Sequence, residues 1–220
     1  MRRVVFMADM ALSDLQRAVL ELFFALAESD GFVLAGGAAL VATGLTTRPT
    51  QDVDLFGSDL AAGIARAGDA LEAACVERSW TIERIRDAAT FRRLVVRGPR
   101  DELLVDLAVD SPPLGTPTLT AVGPTYPPEE LAARKLLALF DRAEARDFVD
   151  LHTLSARFDL DRLLDLAAQL DGGFSPALLA DVLPSHQRFT DEDFVDLGGD
   201  PRELRAFFDG WRDHLVERET

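Results

Sequence analysis

The chain is almost without lysine, cysteine and histidine. Among 220 residues there is one cysteine, Cys75, which reads as a core residue on a helical apolar face. A single thiol excludes a disulfide framework, and a reducing, cytoplasmic setting fits. No apolar run approaches the ~20 residues a helix needs to cross a bilayer. Met1-Arg2-Arg3 followed by Val4-Val5-Phe6 looks like the start of a leader, but Asp9 and Asp14 interrupt it too early for an h-region, so it reads as mature chain. His152, His186 and His214 are far apart and lack metal-ligand spacing, so they read as structural. Of 23 basic residues only Lys135 is lysine. A chain that uses arginine for every other cation and keeps one lysine points to a place where a compact ammonium works and a guanidinium fork does not.

What is present is an ordinary globular composition: 48% hydrophobic, 28% charged, mean hydropathy +0.05. Such a chain can bury a core without staples, as one large domain or two small ones. The 38 acidic residues outweigh the basic ones and give a formal net charge of −15. That excludes a general nucleic-acid coat. The charge is uneven, however. Residues 78–100 hold seven arginines against Glu83 and Asp87. A basic strip on an acidic body suits one phosphate-rich ligand; a solvated surface is the plainer reading.

Apolar spacing predicts a helix over 11–29, with Ser13 or Asp14 near its N-cap. A short apolar strand over 32–35 ends in Gly36-Gly37, and a helix over 38–43 ends at Gly44. Alternation over 51–56 predicts a strand; 60–78 reads as a helix; 81–85, 91–97 and 103–109 read as strands, the last two joined by a turn at 98–101. Six of the 11 prolines fall within 112–128, which reads as a connector across the surface. Helices are predicted over 129–145, 147–158, 161–170, 176–183 and 201–217. The expected layout is therefore an α/β lobe with a mixed sheet (α+β) over 1–115 and an all-α lobe over 116–220.

Asp52 and Asp54 are the centre of the chemistry. In a strand, residues i and i+2 share a face, while Val53 and Leu55 point the other way, into a core. Two neighbouring carboxylates repel unless a cation sits between them. Mg²⁺ takes carboxylate oxygens together with substrate phosphates, so a D-x-D pair at a strand end is a platform for a metal-bound nucleotide. Upstream, Gly36-Gly37 closes a strand and opens a helix, where backbone N–H groups can cradle phosphate and a side chain would block close approach. Asp106 is a third acid inside the apolar strand Leu103–Val109, costly unless paired or metal-bound. If that strand lies beside the one with Asp52 and Asp54, three carboxylates converge, and three acids can hold one or two Mg²⁺ ions. Asp110, at the strand end, fits a turn cap. Arg93 and Arg97 share a strand face and, with Arg92, are candidates for guiding an RNA backbone. Trp80, Trp211 and the stripe Phe207-Phe208-Trp211 read as packing.

Two blocks carry a resemblance. Leu34-Ala35-Gly36-Gly37-Ala38-Ala39-Leu40 followed by Arg48-Pro49-Thr50-Gln51-Asp52-Val53-Asp54-Leu55-Phe56 resembles the signature of polymerase-β-like nucleotidyltransferases, and more closely the AbiEii-type toxin nucleotidyltransferases that include the mycobacterial MenT toxins. Pro128 to Leu139 with Arg142 and Arg146-Asp147-Phe148-Val149-Asp150-Leu151 resembles the family's K-x-x-A-L…R…R-D-x-x-D-L element. The gap from Gly37 to Asp52 is longer than the commonest pattern of the superfamily.

The resemblance implies that Gly36 and Gly37 approach the triphosphate, that Asp52 and Asp54 bind Mg²⁺, and that Asp106 is a third carboxylate and candidate general base. It implies that Lys135 neutralises the triphosphate and that an acid after it, Asp147 or Asp150, belongs to the site. On an unbroken helix Asp150 returns to about 60° from Lys135 and Asp147 lies about 120° away, which favours Asp150; a kink near 143–145 reverses the choice. Arg48 could reach a phosphate or order a loop. The activity implied is transfer of NMP from NTP to an RNA hydroxyl, the tRNA 3′ acceptor end, by a toxin with a cognate antitoxin. An aminoglycoside-type enzyme, which the acidic surface would suit, and nucleotidylation of a protein are the alternatives.

Overall fold

The computed structural model describes residues 12–58 and 63–218. The leader reading at the N-terminus and the expected helix start at Leu60 lie outside the described residues. Ser13 opens α1 (Asp14–Phe24) in a capping box with Gln16, and Leu15, Val19, Leu20 and Phe23 are buried along its inner stripe. The helix stops before the apolar pattern does, and Ala27–Ser29 form a separate 3₁₀ turn.

All four residues of β1 (Phe32–Ala35) are buried, as in a central strand. The chain then turns directly into α2 (Gly36–Ala42), and Gly44, at φ +70°, follows its C-cap. Next come β2 (Asp52–Gly57), α3 (Gly63–Glu77), β3 (Thr81–Ala88), β4 (Phe91–Arg97) and β5 (Glu102–Val109). The Gly98 N–H donates to the Asp101 carbonyl at 2.9 Å and closes the predicted β4–β5 turn. The proline-rich stretch is more than a connector: it holds the hairpin of β6 (Thr118–Thr120) and β7 (Gly123–Thr125), with β7 parallel to β1. Three-residue strands between prolines are too short to show a period of two.

The seven strands form one mixed sheet in the order β3-β4-β5-β2-β1-β7-β6. Helix α3 packs on β3, β4 and β5, and α1 on β5 and β7. The sheet face bearing Val53, Leu55, Leu94, Val96, Leu103, Val105 and Leu107 is buried. The same alternation leaves Asp52, Asp54, Asp106 and Arg93 on the other face. Cys75 lies in the core, and burial pushes its thiol up to about 11.

The chain divides into two units, the first ending at Pro128 and the second starting at Glu129. The second is helical: α4 (Pro128–Arg142), α5 (Ala145–Ser155), α6 (Leu160–Leu170), α7 (Pro176–Val182), a 3₁₀ segment Leu183–Arg188, α8 (Asp191–Val195) and α9 (Pro201–Glu217). The helix expected over 129–145 ends early, because Ala143 adopts φ +48° and Glu144 starts α5 in a new capping box with Asp147. Phe208 and Trp211 are buried as expected, and Phe148 meets Phe208 edge-to-face at 4.9 Å. His186 is buried with Nε2 3.0 Å from Asp209, and His152 packs on Phe207. No helix among the described residues is long and apolar enough to cross a membrane.

Candidate active site

Strand pairing sets out the charged groups of the first unit. β5 runs parallel to β2 with Asp54 opposite Asp106. β4 places Arg93 opposite Asp106, and β3 places Arg86 opposite Arg93. One cross-strand row thus reads Asp54, Asp106, Arg93, Arg86. At about 4.8 Å per strand it spans about 14 Å.

Arg86 reaches this row through a bulge. The register shifts between Arg84 and Arg86, absorbing Ile85. Arg84 faces α3, where it pairs with Asp69 and Glu72. Without the extra residue Arg86 would fall on that face too; with it, the side chain turns to the carboxylate face and lies over Phe91, 5.3 Å from the ring centroid. Arg86 makes no ion pair among the described residues. Sequence reasoning passed over it, since an unbroken alternation would aim it elsewhere.

Arg93 forks onto Asp106, Nε to Oδ1 at 2.8 Å and Nη2 to Oδ2 at 2.6 Å. Asp106 is 8% exposed, so its carboxylate has exchanged water for this fork. The hydrogen bonds to Asp106 and, against the pull of burial, the charges of Asp106, Asp54 and Asp52 raise the Arg93 guanidinium above its usual value. Asp52 accepts from Thr50 Oγ1 at 2.7 Å. The buried Gln16 amide donates to the carbonyls of Thr50, at 2.9 Å, and Asp52, at 3.4 Å, tying α1 to the start of β2. Gln16 is another residue the sequence reading missed; its signal is a polar side chain within the apolar stripe of α1.

The glycines are used at close quarters. Gly36 has φ +61°, and a Cβ there would lie 1.8 Å from Asp54 Oδ2. A Cβ on Gly37 would lie 2.8 Å from Thr50 Oγ1 and 3.7 Å from the Arg48 guanidinium. Gly36, Gly37, Arg48, Thr50 and Asp54 therefore come together. The donor chemistry fits a hard divalent cation: carboxylate oxygens stand beside a cradle that any side chain would fill. Both oxygens of Asp106 accept from Arg93, and among the described residues no group of three or more His, Cys, Asp or Glu is set to hold one metal ion. Asp52 and Asp54 are the carboxylates that would hold such an ion, with the other coordination positions taken by substrate oxygens and water.

The second unit has its own ionic cluster. Lys135, on α4 and 7% exposed, places Nζ 3.2 Å from Asp147 Oδ1 and 3.1 Å from Asp150 Oδ2. Both acids are buried on α5. With the helix broken at Ala143, both acids meet the ammonium. Arg142 completes the cluster, donating to both oxygens of Asp147 at 3.0 Å. Burial pulls the Asp147 carboxyl upward, but the Arg142 hydrogen bonds and the charges of Lys135 and Arg142 outweigh it and hold it below the usual carboxylate range.

Arg92 and Arg97 of the basic strip are engaged within the first unit. Arg92 is 2% exposed and pairs with Asp69, Glu72 and Asp87, so it presents nothing to an RNA backbone. The reason is parity: Arg92 shares the helix-covered face with Leu94 and Val96. Arg97 pairs with Glu83 and Glu102 at the surface. Four arginines of the strip that looks basic in sequence, Arg84, Arg92, Arg93 and Arg97, are paired in space with acids from α3, β3 and β5.

Comparison with known proteins places this geometry. A structure of MenT4, a nucleotidyltransferase toxin from Mycobacterium tuberculosis, matches with a TM-score of 0.57 at 16% identity, covering 91% of each chain. A Helicobacter pylori structure described as a candidate nucleotidyltransferase matches with a TM-score of 0.60 at 20% identity, covering 94% of this chain and 96% of that one. JHP933 from Helicobacter pylori matches with a TM-score of 0.51 at 21% identity, covering 95% and 100%. At these identities the likeness is one of fold. No curated protein matches the chain. The sequence itself fits the family described as nucleotidyl transferase AbiEii toxin, type IV toxin–antitoxin system, over residues 18–210. The family uses an NTP and a divalent metal, and a toxin of such a system has an antitoxin as partner. With a mixed sheet that carries a D-x-D pair beside two glycines, and a family match over most of its length, the chain belongs to the AbiEii toxin family and is a nucleotidyltransferase of a type IV toxin–antitoxin system.

Proposed function

We propose that this nucleotidyltransferase uses Mg²⁺ and transfers NMP from an NTP to an RNA hydroxyl, the tRNA 3′ acceptor end, and so blocks translation in the cytoplasm. The observation that carries the reading is the face on which Asp52 and Asp54 stand beside Gly36, Gly37 and Arg48. Asp52 and Asp54 hold the cation, which when bound supplies charge neutralisation at the phosphates. Gly36 and Gly37 leave room for the triphosphate, and Arg48 is a cation next to that room. Gln16 and Thr50 fix Asp52 so that its carboxylate does not have to reorganise. The role assigned to Lys135 is charge on the triphosphate, with Asp147 and Asp150 fixing its ammonium. The acceptor oxygen bonds to the α-phosphorus, the bond from that phosphorus to the pyrophosphate oxygen breaks, and the hydroxyl proton passes to the carboxylate face. Arg86, on the same face and without an ion pair among the described residues, is the arginine assigned to acceptor phosphate.

Sequencing tRNA 3′ ends after induced expression tests this reading. Added nucleotides with the wild-type chain and none with Asp54→Ala are expected. Unextended tRNA, with label passing instead to an aminoglycoside or a protein, would overturn the acceptor assignment.

A further inference from the structure

The row Asp54, Asp106, Arg93, Arg86 bears on how many cations the site takes. Asp54 and Asp106 are direct neighbours on parallel strands, close enough to repel strongly in a partly buried setting. Three carboxylates on one face would ordinarily invite two divalent ions. Here a permanent cation already sits at the far side of Asp106. Its fork uses both carboxylate oxygens, at 2.8 and 2.6 Å, and the two residues stand opposite each other on adjacent strands. The fork is held from outside as well, since the Arg93 guanidinium lies 5.6 Å from the Phe91 ring centroid. The field of Asp52 and Asp54 reaches Arg93 too, so the group senses all three acids. An arginine cannot give up its proton near neutrality, so this charge is not lost when pH or substrate changes.

We propose that Arg93 is a positioning residue that holds Asp106 out of metal coordination, so that the chain takes one divalent ion, on Asp52 and Asp54. The inference rests on the reading of Asp52 and Asp54 as the metal donors. It gives Asp106 a definite part: it anchors Arg93 beside the metal site and does not ligate.

The test is Mn²⁺ binding to the full chain without nucleotide, read by the electron paramagnetic resonance of free Mn²⁺, with the Asp54→Asn variant as the background. Wild type is expected to bind one Asp54-dependent ion. Arg93→Gln frees the Asp106 carboxylate and removes a nearby positive charge, so a second ion or about tenfold tighter binding is expected. The double variant Arg93→Gln/Asp106→Asn removes a pair that is neutral overall. It should return to one ion with an affinity within about threefold of wild type, and it keeps the proposal testable should Arg93→Gln alone fail to fold. Two ions on wild type, no change in Arg93→Gln, or loss of the ion in the double variant would overturn the inference while leaving the Asp52–Asp54 site standing. Mn²⁺ binding that Asp54→Asn leaves intact would instead overturn the reading of the site itself, and the inference with it.

Discussion

The two ionic clusters are opposites in design. On the sheet face of the first unit Asp52 and Asp54 are half-buried, and Asp106 is held by the fork of Arg93, whose own side chain is partly exposed. In the second unit Lys135 and Arg142 balance Asp147 and Asp150, and all but Arg142 are buried. Removing one member of a buried, paired set costs more than removing a charge from a half-buried face that water still reaches. The first cluster should therefore tolerate a lost charge better than the second. Acidic residues alone would not have separated the two; which neighbour each one meets does.

The sharpest way to break the contrast is to remove one charge from each cluster. Lys135→Met takes the shared ammonium away from two buried acids and should cost about 3–5 kcal/mol of stability, read by urea denaturation. Asp54→Asn, at a half-buried position, should cost less stability than that but lower nucleotide transfer by about 10²–10³-fold, read as pyrophosphate release. A stable Lys135→Met chain would remove the distinction. Next in size, Gly36→Ala forces a Cβ onto Asp54 at a left-handed φ, and should cost about 1–2 kcal/mol together with most of the activity.

Acid titration sharpens the same comparison. Asp147 is held below its ordinary value, so its contribution is present above the unfolded carboxyl value of about 3.9 and is lost as pH falls through the lower folded value. Stability should thus fall steeply below about pH 4 in wild type and less steeply in Asp147→Asn. The smallest effects concern the arginine strip. Arg86→Gln should weaken RNA binding and lower its salt dependence by about one phosphate contact, whereas Arg97→Gln, in an exposed ion pair, should change neither RNA binding nor melting temperature.

What could be read in the sequence was what depends on local pattern. The alternation of Asp52-Val53-Asp54-Leu55, the Gly36-Gly37 turn, the acid inside the apolar strand at Asp106 and the single lysine are all visible within short windows. What could not be read depends on pairing. Arg92 and Arg93 are neighbours in sequence, yet one is sealed under α3 and the other forks onto Asp106. Arg86 depends on a bulge that no residue type announces. The α4–α5 break occurs at Ala143, in a stretch whose alanines favour helix, so the joint approach of Asp147 and Asp150 to Lys135 was hidden behind a continuous helical pattern.

The most direct measurement of the central claim is pyrophosphate release by the purified chain with NTP, Mg²⁺ and total tRNA, compared with Asp54→Ala under the same conditions. The account predicts release that requires both Mg²⁺ and Asp54. Equal release by the two proteins, or release that persists without a divalent ion, would contradict it.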